Sequence, residues 1–395
     1  MWLAILFLVP SFSFLAVGLF GIAWARRRPA SPLGRGPSEL AAISVLKPLS
    51  GADEELEENL ETFFAQDGVR FELLFGVTCP TDPAVEVVER LIARHEGVRA
   101  RLIIHAGADL ANPKLANLAG LMPEARHDLV LISDSNVRAP SRYLEDLAAT
   151  FAEPGVGLVT NIISGWGEET LGATLENATL NGLVAVGATA PGLLGDPAVV
   201  GKSMLFRRSV LESIGGIAAF GNVLAEDYIL GRAIHHAGLS VRIGSVVLRN
   251  VNRRTTLRAY VARHLRWSQI RSRVKPLGFV LEPLVSPTVA AVVAGLGFGR
   301  AAGIAALLGF FLLRDFLPWL LLRGASRAWI PALTLPLRDA VLLAVWIATP
   351  FVKHVSWRGH PARIGPGSFL FTPVRSRTAS RGADVAFSGS GSYRR

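Results

Sequence analysis

Two apolar blocks, residues 2–25 and roughly 277–352, constrain this chain more than anything else in its 395 residues. About 20 consecutive apolar residues suffice to cross a ~30 Å hydrocarbon core as a helix, and 2–25 carries no charged side chain. Arg26, Arg27 and Arg28 follow at once. The positive-inside rule then puts the start outside and everything after Arg28 in the cytoplasm. A cleaved signal peptide is the competing reading, because Ala23-Trp24-Ala25 mimics a cleavage site. Two features weigh against it: no positive charge precedes the apolar run, and the run exceeds the ~7–15 residues of a signal core. The chain therefore reads as an integral membrane protein, attached at both ends, with a middle portion of mixed polarity.

Half of the residues are hydrophobic and only 18% are charged, against ~25% in soluble domains. The formal charge of +10 is mostly arginine. Those arginines sit beside apolar stretches and form no stripe with interleaved aromatics, which argues against nucleic acid. Attraction to anionic lipid on the cytoplasmic side explains them better. Cys79 is the sole cysteine, so intramolecular disulfides, zinc ribbons and redox pairs are excluded. A cytosolic middle domain is compatible with that.

The organisation reads as an anchor at 1–25, a Pro/Gly-rich linker at 26–41, a catalytic-type domain at 42–250 and a basic amphipathic interfacial helix within 251–276. Transmembrane or re-entrant segments follow at 277–352, then a partly disordered basic tail at 353–395. In the middle domain, short apolar strands at 42–46, 71–77, 98–104 and 129–132 alternate with helical spacing at 54–64, 83–94 and 113–122. That alternation predicts an α/β fold, a mostly parallel sheet covered by helices, with ligands at the strands' carboxyl ends. A further strand is expected at 156–163, a helix at the site or bilayer surface over 171–190, and a helix at 226–236. The C-terminal segments are 281–298, 302–322 and 330–352. Three crossings would put the arginine-rich tail outside, so one segment is expected to be re-entrant, the Pro-interrupted 281–298 being the candidate. Arg314-Asp315 and Arg338-Asp339 fall in or beside these segments, where charges are either paired or functional.

Chemistry concentrates at few places. Asp134-Ser135-Asn136 ends the apolar run 129–132. A carboxylate with an amide oxygen two residues on suits Mg²⁺ or Mn²⁺ holding a diphosphate, although the triplet alone is also a turn. Glu226-Asp227 opens a helix. Asp227 suits a general base, and plain helix capping is the alternative. Arg263 and Arg266, three apart on one helix face, suit diphosphate oxygens. Trp267 offers a flat wall for a sugar or acceptor. The bland reading of that run is a lipid-facing helix with a Trp anchor. Asp82 suits a base or ribose, or merely an Asp-Pro turn. Gly201-Lys202-Ser203 fails as a phosphate loop, since the glycine required five positions earlier is Asp196.

Together these residues resemble the ceramide glucosyltransferases, family 21 of the glycosyltransferases. The matching stretches are Ser44–Leu49, Glu58–Phe64, Asp82-Pro83-Ala84, Asn112-Pro113-Lys114 with Asn117-Leu118, Asp134–Arg138, Gly201–Met204, Ala225–Tyr228 and Arg-x-x-Arg-Trp at 263–267, in the family's order. The resemblance implies a GT-A type nucleotide-sugar-binding domain with N- and C-terminal transmembrane helices. It also implies an inverting transfer of glucose from UDP-glucose to the primary hydroxyl of ceramide. It casts Asp227 as proton acceptor, makes Arg263, Arg266 and Trp267 necessary for activity, and puts Asp82, Lys114, Lys202 and Glu226 around the substrates, with Asp134 and Asn136 on the metal. The implied partners are a UDP-sugar, a lipid acceptor and the membrane. Bacterial relatives that glycosylate hopanoids from UDP-N-acetylglucosamine share the aspartates and the Trp357-Arg358-Gly359 neighbourhood. The Ala/Arg/Gly-rich composition suits a bacterial inner membrane. Glu226-Asp227, Asn112-Pro113-Lys114 and Gly201–Met204 favour the ceramide branch. A polysaccharide synthase, disfavoured by too few C-terminal segments, and a non-catalytic lipid-binding protein, disfavoured by the intact acids, are the remaining readings.

Overall fold

The structure, a computed structural model, describes residues 1–28, 41–352, 354–357 and 360–371. Most of the expected linker (29–40) and the tail beyond 371 lie outside the described residues. In chain order the strands of the central body are β1 (Ile43–Pro48), β2 (Phe71–Val77), β3 (Ala100–Ile104), β4 (Leu129–Ser133), β5 (Val137–Arg138), β6 (Val156–Thr160), β7 (Ile163–Trp166), β8 (Ser203–Arg207), β9 (Ser240–Ile243) and β10 (Leu248–Val251). The helices between them are α2 (Leu56–Phe64), α3 (Ala84–Arg94), α4 (Pro113–Leu121), α5 (Tyr143–Phe151), α6 (Leu171–Thr179), α7 (Ala185–Leu193), α8 (Arg208–Ser213) and α9 (Glu226–His236), while α1 (Trp2–Arg27) precedes β1.

The main sheet has seven strands in the order β3-β2-β1-β4-β8-β6-β9. The first four are parallel, as the helical crossovers require; β8 runs antiparallel between β4 and β6. Successive side chains of a strand face opposite ways, and both faces are covered. Val45, Phe75 and Leu131 pack with Leu60 and Phe63 of α2, Leu91 of α3 and Leu147 of α5. Leu46, Leu74, Ile132 and Met204 pack with Leu118 of α4 and Ile234 of α9. Burial on both sides explains the unbroken apolar runs of β1, β2 and β4.

The expected single strand at 156–163 is two strands in two sheets. Asn161 interrupts it. Its buried amide donates to Val246 O (2.9 Å) and accepts from Ser203 Oγ (2.8 Å), so the chain leaves the main sheet at this polar residue. β7 then joins the small sheet β5-β10-β7. The 171–190 helix is interrupted at Leu180–Val184 by a π-helical turn. Its second half packs on α1 where Gly18 meets Val186 and Gly21 meets Thr189. Small residues let two backbones approach in this way, and Thr189 Oγ1 donates to Gly18 O at 2.8 Å.

The C-terminal part holds α10 (Leu257–Val274), α11 (Pro276–Leu281), α12 (Pro287–Phe298), α13 (Arg300–Phe311), α14 (Leu317–Arg323) and α15 (Ile330–Ala348). Among the described residues three helices are long and apolar enough to cross a membrane, Trp2–Arg27, Arg300–Arg323 and Ile330–Ala348. The pair Pro276–Val285 and Pro287–Phe298 is bent by 73°, and Gly297 near its end meets Ala4 at the opposite end of α1 from Arg27, which favours a bent crossing over the re-entrant loop expected for 281–298. Arg314, Asp315, Arg338 and Asp339 pair with one another. Arg314 reaches Asp315 and Asp339 at 2.7 Å each, and Arg338 reaches Asp315 at 2.6 Å. Ser286 and Thr288 hydroxyls donate to Asp339.

Strands β11 (His354–Trp357), β12 (His360–Ile364) and β13 (Leu370–Phe371) form a third sheet. This end returns to the central body: Ser368 O accepts from Leu224 N–H (3.0 Å) and Asn222 O from Leu370 N–H (2.8 Å).

Candidate active site

The carboxyl ends of β1 and β4 and the N-terminus of α9 meet at one cluster of charge. Asp134 follows β4 directly. It is fixed from below by Lys47, a fully buried residue of β1, whose ammonium donates to Ser133 Oγ (3.0 Å) and Asp134 O (2.9 Å) and lies 3.2 Å from the Phe63 ring centroid. Burial pushes the Lys47 ammonium well below the usual lysine range. Ser135 donates to Asp53.

Two lysines grip the Asp134 side chain. Lys114 Nζ lies 3.0 Å from Oδ1, and Lys202 Nζ lies 3.4 Å from Oδ2 and donates to Asn136 Oδ1 at 2.6 Å. Burial opposes the Asp134 charge, but the two ammoniums outweigh it and hold its carboxyl well below the ordinary range. With 27% of its side chain accessible, Asp134 remains open to a bound molecule. Lys114 is placed by Asn112, which caps α4: its Oδ1 accepts from the Lys114 and Leu115 amides, while its Nδ2 donates to Val223 O (2.9 Å). Lys114 also reaches Glu226 Oε1 (3.3 Å) and Gly201 O (2.9 Å). Burial disfavours the Lys114 charge, yet Asp134 and Glu226 raise its pKa above the usual value. Lys202 is lowered, by burial first and then by nearby Arg263 and Lys114.

Asp227 opens α9. Its Oδ2 accepts from Gly201 N–H (3.0 Å) and its Oδ1 from Tyr228 N–H (2.8 Å). Burial raises the carboxyls of both Glu226 and Asp227, and the adjacent Asp134 charge adds to it; Lys114 works against the rise. A carboxyl lifted toward neutrality holds a transferable proton better than an ordinary one. Gly201 is the unanticipated element here. A Cβ on it would stand 2.8 Å from Asp227 Oδ2, so the glycine that fails as part of a phosphate loop serves instead as a backbone donor pressed against the carboxylate. Gly201→Ala is expected to displace Asp227 and to lower kcat on the order of a hundredfold, since misplacement by ~1 Å costs that much. Steady-state kinetics beside an unchanged melting profile checks it.

Arg263 and His264 on α10 converge on Glu176, a fully buried carboxylate of α6, at 2.9 and 3.3 Å. Glu176 is held well below the ordinary range: its burial is outweighed by His264 and Arg263. Sequence reading gave this residue no role; its signal was a lone acid within an apolar helix. Trp267 is half-buried against the core cluster of the main sheet and meets His264 edge-on at 5.2 Å between centroids. Arg266 lies half-buried on the same helix. Glu176→Gln is expected to free Arg263 and to weaken donor binding. Charged hydrogen bonds contribute about 1.5–3 kcal/mol, so donor KM rises roughly ten- to hundredfold with a smaller change in kcat.

The structure gathers Lys114, Asp134, Asn136, Lys202, Glu226 and Asp227 directly, with Arg263 next to Lys202. Asp82 stands one loop away. Its carboxylate accepts from Gly51 N–H (2.9 and 3.1 Å) and from Ala84 N–H (2.9 Å) at the start of α3. That pairing secures the 51–53 loop whose Asp53 takes Ser135, so Asp82 borders the cleft through backbone amides.

A mixed, mostly parallel sheet with acidic residues at its carboxyl edge and apolar helices at both ends is the GT-A type of nucleotide-sugar-binding fold. A mannosyltransferase from Pyrobaculum calidifontis, solved with GDP-Man and Mn²⁺, aligns over 88% of this chain and 98% of its own, with a TM-score of 0.50 and 18% identity. The glycosyl transferase family 21 profile matches residues 5–370, and the chain belongs to that family. Ceramide glucosyltransferase 1 of Caenorhabditis elegans is 30% identical over 67% of this chain and 57% of its own length. Ceramide glucosyltransferase 3 of the same organism is 30% identical over 62% and 54%. The chain thus spans somewhat more than half the length of these relatives.

Proposed function

We propose that this protein is an inverting hexosyltransferase that moves glucose from UDP-glucose to the primary hydroxyl of ceramide, giving β-glucosylceramide and UDP. The observation that carries this reading is the cluster of Asp134, Lys114, Lys202 and Asp227, which provides a cationic seat for a diphosphate beside a carboxylate of raised pKa. Asp227 takes the proton of the acceptor hydroxyl as its oxygen attacks the anomeric carbon. The bond from that carbon to the diphosphate breaks, and UDP leaves with the electron pair. Lys114 and Lys202 offset the charge of the leaving group, and Arg263, Arg266 and Trp267 border it from α10. Electrostatic stabilisation of this kind acts where charge develops. Glu226 and Asp82 fix the loops around the substrates.

The donors present fit a divalent metal in their chemistry. Mg²⁺ is held by one or two carboxylates together with substrate phosphates, and Asp134 and Asn136 present only hard oxygens. Among the described residues no group of three or more His, Cys, Asp or Glu side chains forms a metal site without substrate. Mg²⁺ or Mn²⁺ bound there would supply further charge neutralisation to the diphosphate. Lys202 competes for both oxygen ligands. Removal of metal with EDTA is therefore expected to lower activity, and Lys202→Met to reduce the metal concentration needed for half-maximal rate. A metal titration of UDP release measures both.

We place the catalytic body on the cytoplasmic side, with α1 as the anchor and α10 in the headgroup layer. The return of residues 368–370 to the 222–225 loop supports an even number of crossings after α10, with one apolar segment not crossing. A hopanoid acceptor with UDP-N-acetylglucosamine is the second reading, favoured by the Trp357-Arg358-Gly359 sequence. Mass spectrometry of lipids from a host expressing this chain, supplied first with ceramide and then with bacteriohopanetetrol, separates the two. Hexosylceramide is expected; an N-acetylhexosamine on the hopanoid alone would replace our reading.

A further inference from the structure

A cavity of about 280 Å³ lies away from the acidic cluster, behind the small sheet. Its walls include Arg26 from the last turn of α1, Ser164 and Trp166 of β7, Ser245, Arg249 of β10 and Leu322 of α14. Two candidate spans, Trp2–Arg27 and Arg300–Arg323, end at this cavity, so it sits where the central body meets the bilayer surface.

The donors in the cavity are selective. The Ser164 hydroxyl already donates to Asn181 Oδ1 (2.7 Å), and the Trp166 indole to Ser164 Oγ (2.9 Å). The Ser245 hydroxyl donates to Asp146, a carboxylate that also accepts from the Val246 amide. The Arg249 guanidinium stacks 4.6 Å from the Trp166 ring centroid. Arg323 lies over the same ring at 4.3 Å, but its charge is taken by Glu168 at 2.9 Å. Arg28, two residues after Arg26, pairs with Glu153. Among the described residues Arg26 and Arg249 have no ion-pair partner. The spare hydrogen-bonding capacity of this cavity therefore belongs to two arginine forks, whose planar geometry matches phosphate oxygens. An apolar wall, Leu322, and an aromatic ring at the membrane–water boundary complete it, an environment suited to a molecule with a charged head and a hydrocarbon tail.

We propose that this cavity binds the phosphate headgroup of an anionic membrane lipid, held by Arg26 and Arg249 with its acyl chains running out between α1 and α14. The site is distinct from the acidic cluster and carries no role in the transfer itself. An anionic inner leaflet adds to the attraction of arginines near its surface.

Native mass spectrometry of the full-length protein, titrated in detergent with phosphatidylglycerol, tests this. The wild type is expected to retain one phosphatidylglycerol. The double variant Arg26→Gln/Arg249→Gln should need roughly tenfold more lipid or higher for the same occupancy, while millimolar inorganic phosphate should not displace the lipid. Arg249→Glu alone, expected to lose the lipid as well, keeps the test open if the double variant does not fold. Equal retention by wild type and folded variants would overturn the proposal. Displacement by inorganic phosphate would also overturn it, by assigning the cavity to a free anion. UDP release with the ceramide acceptor but without added phosphatidylglycerol reads the transfer site separately, and both folded variants should retain it.

Discussion

Asp227→Asn is expected to lower kcat by about 10²–10⁴, the contribution of a positioned general base, with little change in donor KM. The asparagine oxygen can still accept from one of the Gly201 and Tyr228 amides, while its NH2 faces the other; an unchanged melting profile beside the kinetics shows that the loss reports the missing proton acceptor. The pH profile of the wild type carries the same information. Burial and the Asp134 charge raise the Asp227 carboxyl. The base works only when deprotonated, so kcat/KM should fall as pH drops through that raised pKa, in a range above the ordinary carboxylate value of ~3.9. In Lys114→Met, which removes the cation opposing the rise, the acidic limb should move to still higher pH. UDP release measured across pH checks both. Full activity of Asp227→Asn would remove the base assignment and leave helix capping as the role of this residue.

Arg314→Leu is expected to cost about 3–5 kcal/mol of stability, the usual penalty for breaking a buried ion pair and stranding its partner. Arg314 is 2% exposed and bridges Asp315 and Asp339, while Arg338 leans on Asp315. Removing one cation leaves two acids sharing one arginine in an apolar surround. The Leu312–Phe316 π-helical turn that carries Arg314 packs on Gly182, where a Cβ would come 2.8 Å from Arg314 O, so the damage should spread to α6 and the Glu176 contact. The measurement is thermal inactivation in detergent or nanodiscs. The quadruple variant Arg314→Leu/Asp315→Leu/Arg338→Leu/Asp339→Leu, which removes all four buried charges together, should recover part of the loss. A single variant as stable as the wild type would show that the four charges are dispensable to the fold.

The sheet was legible because parallel strands buried on both faces leave unbroken apolar runs separated by helical spacing; 71–77, for example, is β2 residue for residue. Asp134 and Asp227 were legible because each stands at an element's end in a distinctive local sequence. Three parts were not. Glu176 lies some 87 positions from Arg263, and nothing local to either residue announces the pairing. Gly201 looked like a failed phosphate loop because its use, a close backbone approach to Asp227, depends on a residue 26 positions on. Lys47 reads as a strand-end lysine, and only the fold shows its ammonium buried beneath Asp134. Asp82 was legible as a position at the cleft's edge, while its bonds to two backbone amides came from the loop geometry. In each case the hidden information was a contact between segments far apart in sequence.

Transfer itself is the central claim, and the most direct measurement is proton NMR of the lipid product. Purified full-length protein in nanodiscs containing ceramide is supplied with UDP-glucose, and the anomeric proton of the new glycolipid is read. A β-linked glucosylceramide formed in step with UDP is expected. Product of α configuration, or UDP release with no sugar on the lipid, would contradict that expectation.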